Sequence, residues 1–472
     1  MERRTSMLPK AVEVPVGFVP TPSAPYRIHR KAVQNVLEPG HPRPDPVPAH
    51  VSARSPVFGS RVLLWKQDPS VSEIGTRKAF LPGLVLDGPR DARIVNGAPG
   101  IPAVSPNAFG DFILAPGTDQ FDAAHTFAVV RETLTMYQRA LASGGIQAPL
   151  PWQWNSGSNS DPLEVFPHGL PNVMNAYYSR NQQSLKFGDF IPSGSAARVF
   201  TCRSFDIVSH ETGHAILDGL KPGWLLAGNP PQTGGLHESF GDLTAIFLAL
   251  SQLDQVEAVI AQTKADLHNK SFLADMAEQF GLALGRPNGL RNADNDLKLS
   301  ETGTEVHAIS QVFTGAVYDI LADIFSFERR PGLQDDALVL HQAGSYMASL
   351  VLRSLIAAPA SAATYADVAN KMLSIANADG KPVQYRNFIR NRFTVREVVT
   401  SPLALTEDMP ADMMLEPAVQ DAPGALQDRR ACCGTMTNAE YFDTNEIFND
   451  ELDALMRSLK SEQKKRPEVA LR

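Results

Sequence analysis

Between residues 122 and 141, apolar side chains return at helical spacing, with Phe127, Val130, Leu134 and Tyr137 on one stripe, and this predicts a long helix. The chain before it follows another pattern. Residues 1 to about 100 are rich in proline and lack helical periodicity, and the short apolar runs at 60–65 and 84–87, set between turn residues, predict strands. Residues 143–165 have the Gly, Pro, Asn and Ser of a loop, and 172–202 return to strands and turns. From Asp206 to about residue 378 the pattern is dominated by helices. Near residue 400 it shifts again, to an acidic, proline-containing linker at 401–423. A last amphipathic helix follows, with Ile447, Phe448, Leu452, Leu455, Met456 and Leu459 on one side. That stripe is expected to dock on the main body, since apolar helix faces are generally buried; recruitment of a partner is its other use. There is no internal repeat.

Composition narrows the classes of function. The chain has 472 residues, 43% of them hydrophobic, enough for more than one packed core. Its formal net charge of -8 is spread along the sequence and speaks against nucleic-acid binding. The one basic cluster, Lys464-Lys465-Arg466, has the character of a solvated tail. Three cysteines cannot form a disulfide framework, which suits a reducing compartment. The two N-terminal arginines are not followed by an apolar stretch, so no secretory signal is expected. The apolar run at 243–253 is too short to span a bilayer. These features lead to the expectation of a cytoplasmic protein without a membrane span, with leaderless export as the alternative.

The candidate chemistry centres on His210-Glu211-Thr212-Gly213-His214. Histidines at i and i+4 of a helix share a face, so both imidazoles reach one ion, and Glu211 lies close enough to a bound water to take its proton. Ser204 or Asp206 can cap this helix, and Lys221-Pro222-Gly223 stops it. A catalytic zinc needs a third protein ligand and an open fourth position. Glu238 and Asp242, again at i and i+4, open the next apolar helix. One of them can ligate a metal while the other accepts the outer N–H of a ligating histidine. Acidic residues that favour a helix N-terminus are the alternative reading of the pair.

These residues resemble the thermolysin family of neutral zinc metallopeptidases, within the gluzincins, and the match runs in ordered blocks over about residues 105–400. The blocks are Phe121 to Thr126; Asn175 to Tyr178 with Lys186 to Asp189; Asp206 to His214; His237 to Asp242; Gly289 to Arg291; and Gly303 to Ser310. The resemblance implies His210, His214 and Glu238 as zinc ligands, Glu211 as the base and Asp242 as support for a ligating histidine. It further implies that His307 stabilises the oxyanion, that Asn175 and the backbone of Ala176 bind the peptide main chain, and that Arg291 holds a substrate carbonyl.

The sequence also departs from the family. His237 stands where the family has Asn. Thr302 occupies the position of the carboxylate that orients the catalytic histidine, with Glu301 or Glu305 nearby as substitutes. No tyrosine lies between His214 and Glu238, where Trp224 is the only large aromatic. The acidic cluster for structural calcium is missing after the third-ligand helix, and Asp206 alone cannot supply the roughly six to eight oxygens such a site needs. No inhibitory propeptide is recognisable in residues 1–100.

The expected fold is α+β and two-lobed, thermolysin-like, with a mixed-sheet N-lobe carrying the zinc helix and a helical C-lobe. The expected division is a proline-rich, strand-containing extension at 1–104, a catalytic domain at 105–400, and an acidic linker with an amphipathic helix at 401–472. The expected function is a metalloendopeptidase holding one zinc ion, with no structural calcium, acting on a peptide or protein. Its alternative is a non-catalytic zinc-containing scaffold that binds peptides.

Overall fold

A computed structural model describes residues 59–97, 101–284 and 289–400. The linker and amphipathic helix expected after residue 400, and the proline-rich stretch before residue 59, lie outside these residues.

The fold mixes helices with a mixed sheet. Strands β1 (Ser60–Trp65) and β2 (Thr76–Leu81) pair as an antiparallel hairpin. A larger sheet has the order β3 (Ile94–Asn96), β4 (Leu163–Leu170), β6 (Ser184–Phe190), β5 (Ala176–Ser179), with β7 (Val199–Phe200) also paired to β6. β3, β4 and β6 run parallel, whereas β5 runs antiparallel to β6 and forms the edge. The expected strand at 84–87 is not one. Pro82 and Pro89 flank it, Gly83 and Gly88 take positive φ, and the segment folds back through an isolated bridge from Leu86 to Arg90.

The helices follow from their caps. Helix α1 (Asp119–Ser143) starts where the Thr118 side chain accepts from the Phe121 amide, with Asp119 and Asp122 favouring its positive end. Helix α2 (Phe205–Leu220) is capped by Ser204, and Pro222 follows its last turn. Helix α3 (Pro231–Leu250) opens on a proline, whose missing N–H costs nothing at that position. Every residue of α3 is buried, because the helix lies between α2 and α6 (Val306–Glu328). Around this trio stand α4 (Leu253–Thr263), α5 (Glu278–Ala283), α7 (Asp336–Ala357), α8 (Tyr365–Ala378) and α9 (Val383–Val395), with a small ladder of β8 (Asp275–Met276) and β9 (Arg291–Asn292).

The sequence pattern placed the end of the helical region near 378 and so left out α9. Its buried side chains Tyr385, Ile389 and Phe393 recur every four residues, but arginines at 386, 390 and 392 dilute the stripe. The most apolar long helix is α6, not the run at 243–253. It is long and apolar enough to cross a membrane, with a mean hydropathy of 1.3, yet 89% of that window is buried inside the protein. It is a core helix, and one continuous core draws side chains from Val62 to Val399.

Candidate metal centre

Helices α2 and α3 cross closely enough to bring their functional side chains together because glycines face one another at the crossing. A Cβ on Gly241 would meet the His210 ring at 2.6 Å, and one on Gly213 would meet Thr244 Oγ1 at 2.7 Å. The sequence contains both glycines, but nothing in its periodicity marks them as contact points.

Across this junction His210, Glu211 and His214 form a buried group whose potential ligand atoms lie within 4.8 Å of one another. Glu238 closes the group from α3. Its Oε2 lies 3.5 Å from His210 Nε2 and its Oε1 3.6 Å from His214 Nε2. Both histidines therefore turn Nε2 toward the same carboxylate. Their outer nitrogens are engaged behind them: His210 Nδ1 lies 3.0 Å from Asp242 Oδ1, and His214 Nδ1 lies 2.8 Å from His237 Nδ1. Asp242 thus takes the supporting position open to it in the sequence. It also receives Arg291, with Nε 3.0 Å from Oδ2 and Nη2 2.6 Å from Oδ1.

His307 enters from the start of α6, its Nε2 3.1 Å from Glu238 Oε2. Of the two carboxylates that sequence left open as its partner, Glu305 is the one. Glu305 Oε1 lies 2.6 Å from His307 Nδ1, and the same side chain accepts the amides of His307 and Ala308 as the N-cap of α6. Glu301 turns away and accepts from the Lys298 amide. Trp224 is also elsewhere, buried with its indole N–H on the carbonyl of Pro359.

Asn175 and Ala176 border the same cleft at the edge strand β5. Asn175 Oδ1 accepts the Ala176 amide at 2.8 Å, and its carbonyl accepts from Gly188. The far wall is apolar, built from Ile207, Met276, Ala277, Phe280 and Leu290.

Electrostatics separate the roles. Burial pushes the Glu211 carboxyl up to about 8, with His210 opposing and Glu238 adding to the rise. Burial works against His210 as a cation, but hydrogen bonds to Asp242 and Glu238 outweigh it and lift the ring to about 9. Burial drives His214 well below its ordinary value and His237 down to about 3. Glu238 resists burial because His307 and His214 hold it far down in the carboxylate range, and Asp242 is held down by Arg291 in the same way.

The donor set fits a divalent transition metal: two imidazole nitrogens and one carboxylate, with room left for a fourth ligand. Glu211 Oε2 is buried without a hydrogen-bond partner.

One feature beside the site was not visible in the sequence. Asp206, in the first turn of α2, senses the charges of Asp68, from the loop after β1, and of Glu278, at the start of α5. Burial raises all three carboxyls, and mutual repulsion raises Asp206 and Glu278 further. The three positions are too far apart in sequence for any motif to connect them.

No protein-family model matches the chain, and no curated protein does. Among solved structures it is similar to the precursor of protealysin, a metalloproteinase from Serratia proteamaculans, at 17% identity and a TM-score of 0.41, over 60% of this chain and 80% of that one. A likeness this distant carries no argument about activity, which rests on the side chains themselves.

Proposed function

We propose that the protein is a zinc-dependent endopeptidase with a two-lobed thermolysin-like catalytic domain. The observation that carries this reading is the convergence of His210, His214 and Glu238 around one point, with Glu211 Oε2 buried beside it and without a partner. A zinc ion held by these three side chains would supply the Lewis acidity that activates water and polarises the scissile carbonyl.

The chain's own groups do the rest. Glu211 Oε2 takes the proton of the attacking water and passes it to the leaving amine. The Glu305 carboxylate at Nδ1 orients the His307 ring, and Nε2, on the side of Glu238, turns to the developing oxyanion. The edge strand β5 offers its outer side to an extended peptide, with Asn175 and Ala176 at the contact, and main-chain pairing of this kind tolerates varied sequences. Arg291, braced by Asp242, holds a substrate carbonyl. The apolar wall from Ile207 to Leu290 receives a bulky apolar side chain on the amino side of which cleavage occurs. A zinc-containing scaffold that only binds peptides has no use for a buried acceptor at Glu211.

The test is the metal content of the purified full chain together with cleavage of a mixed peptide library, with and without a zinc chelator. One zinc per chain and cleavage lost on chelation are expected. Cleavage that survives complete metal removal would overturn the proposal.

A further inference from the structure

An imidazole that binds a metal through one nitrogen presents its other nitrogen as an N–H, and the acceptor of that proton fixes the tautomer and the plane of the ring. For His210 the acceptor is the Asp242 carboxylate. For His214 it is another imidazole. The two rings are fully buried, their centroids are 4.9 Å apart at 30° between planes, and their Nδ1 atoms face each other at 2.8 Å.

Two facing imidazole nitrogens share one proton, so one nitrogen donates and the other accepts. If His214 Nε2 gives its lone pair to a metal, the only proton on that ring sits on Nδ1. His214 is then the donor and His237 Nδ1 the bare acceptor. The proton of a neutral His237 must in turn lie on Nε2, which is buried among the described residues without a hydrogen-bond partner. That placement leaves a buried N–H unsatisfied, and folding alone gives no reason to accept it.

We propose that His237 is a positioning residue: a neutral imidazole, protonated at Nε2, whose Nδ1 accepts from His214 and locks that ring as a metal ligand. The inference rests on the metal-binding reading of the site. It makes the location of the acceptor matter, not merely its presence. The side-chain amide of asparagine reaches the place of an imidazole Nδ1, whereas that of glutamine reaches the place of Nε2. His237→Asn therefore keeps an acceptor for His214, His237→Gln puts the acceptor on the wrong side, and His237→Leu removes it.

The experiment measures zinc and cobalt dissociation constants of the full chain by competition with a chromophoric chelator, records the absorption bands of the cobalt forms, and follows thermal melting of the metal-free proteins. His237→Asn should bind zinc nearly as tightly as the parent with unchanged cobalt bands. His237→Gln and His237→Leu should bind roughly 10- to 100-fold more weakly, with shifted bands, the range for loss of a partner behind a metal ligand. If the leucine variant does not fold, the asparagine–glutamine pair, both polar, still decides the matter. Equal affinity for parent and His237→Gln overturns the inference, as does an equal loss in His237→Asn and His237→Gln. A parent chain that takes up no metal overturns the proposed function, and this inference with it, an outcome separate from both of these.

Discussion

Glu305 Oε1 lies 2.6 Å from His307 Nδ1, and the same carboxylate caps the helix on which His307 sits. One side chain thereby begins α6 and aims its imidazole at the candidate metal centre. Burial would raise the Glu305 carboxyl, but His307 and the two amides more than offset it and hold it in its charged form.

The two tasks of Glu305 can be separated. Serine is a good N-cap but is too short to reach His307 Nδ1. Glu305→Ser should leave the melting temperature near that of the parent and lower kcat roughly 10- to 100-fold with little change in KM, the signature of an interaction used mainly in the transition state. Glu305→Ala should lose about 1 kcal/mol of stability as well. Steady-state kinetics and thermal melts of both variants check this, and a serine variant as active as the parent would dismiss the orienting role.

The crossing of α2 and α3 makes a packing prediction. Gly241→Ala puts a methyl group where the His210 ring lies, at 2.6 Å, with the buried body of both helices behind it. Overpacking of a filled core costs about 1–3 kcal/mol. Here the ring that must yield is a proposed ligand, so metal affinity should fall together with the melting temperature. A variant that melts earlier yet holds zinc as the parent does would show that the crossing absorbs the methyl group elsewhere.

The carboxylates of Asp68, Asp206 and Glu278 predict an unusual dependence of stability on pH. Burial first, and then the charges of Asp206 and Asp68, raise Glu278 above the ordinary carboxylate range. The folded chain then holds protons that the unfolded chain has lost, so stability falls as pH rises from about 4, where unfolded carboxyls titrate, through neutrality. Glu278→Gln removes the burden and should raise the melting temperature at pH 8, with little effect at pH 4. A calcium-dependent rise in the melting temperature of the parent would instead mean that a cation, and not protons, neutralises this cluster.

What the sequence revealed and what it withheld follow from the range of the interactions. His210 and His214 were legible because one helical turn joins them, and Glu238 with Asp242 because a second helix repeats the spacing. Their meeting depends on Gly213 and Gly241, and a missing side chain leaves no mark in a hydrophobic pattern. Glu305 was one of two candidates until the N-cap geometry decided, since a cap bends the chain back on itself and lets a residue two positions away reach the imidazole. His237 was visible as an oddity, but which of its nitrogens faces His214 is set by the packing of α2 on α3. The cluster of Asp68, Asp206 and Glu278 joins three separate stretches of chain through space alone.

The proposed mechanism gives the two glutamates of the site different tasks, ligand and base. Glu238 faces both histidines through its two oxygens, and its neighbours keep it anionic. Glu238→Gln replaces that anion with a neutral amide, so zinc affinity should fall, and activity with it. Glu211 stands beside the same point, but its Oε2 has no hydrogen-bond partner and burial raises its affinity for a proton. Glu211→Gln keeps the shape and leaves His210, His214 and Glu238 in place, so zinc should stay at one ion per chain. The attacking water then has no proton acceptor and the leaving amine no donor, and turnover should drop by a factor of about 10² to 10⁴, the usual worth of general acid–base assistance. Metal stoichiometry and peptide cleavage, measured side by side, distinguish the cases. If Glu211→Gln cleaves as fast as the parent, the proton path through Glu211 is wrong. If the parent holds zinc and no member of the series cleaves any peptide, the chain is a binder, and Glu211 is a relic of chemistry it no longer performs.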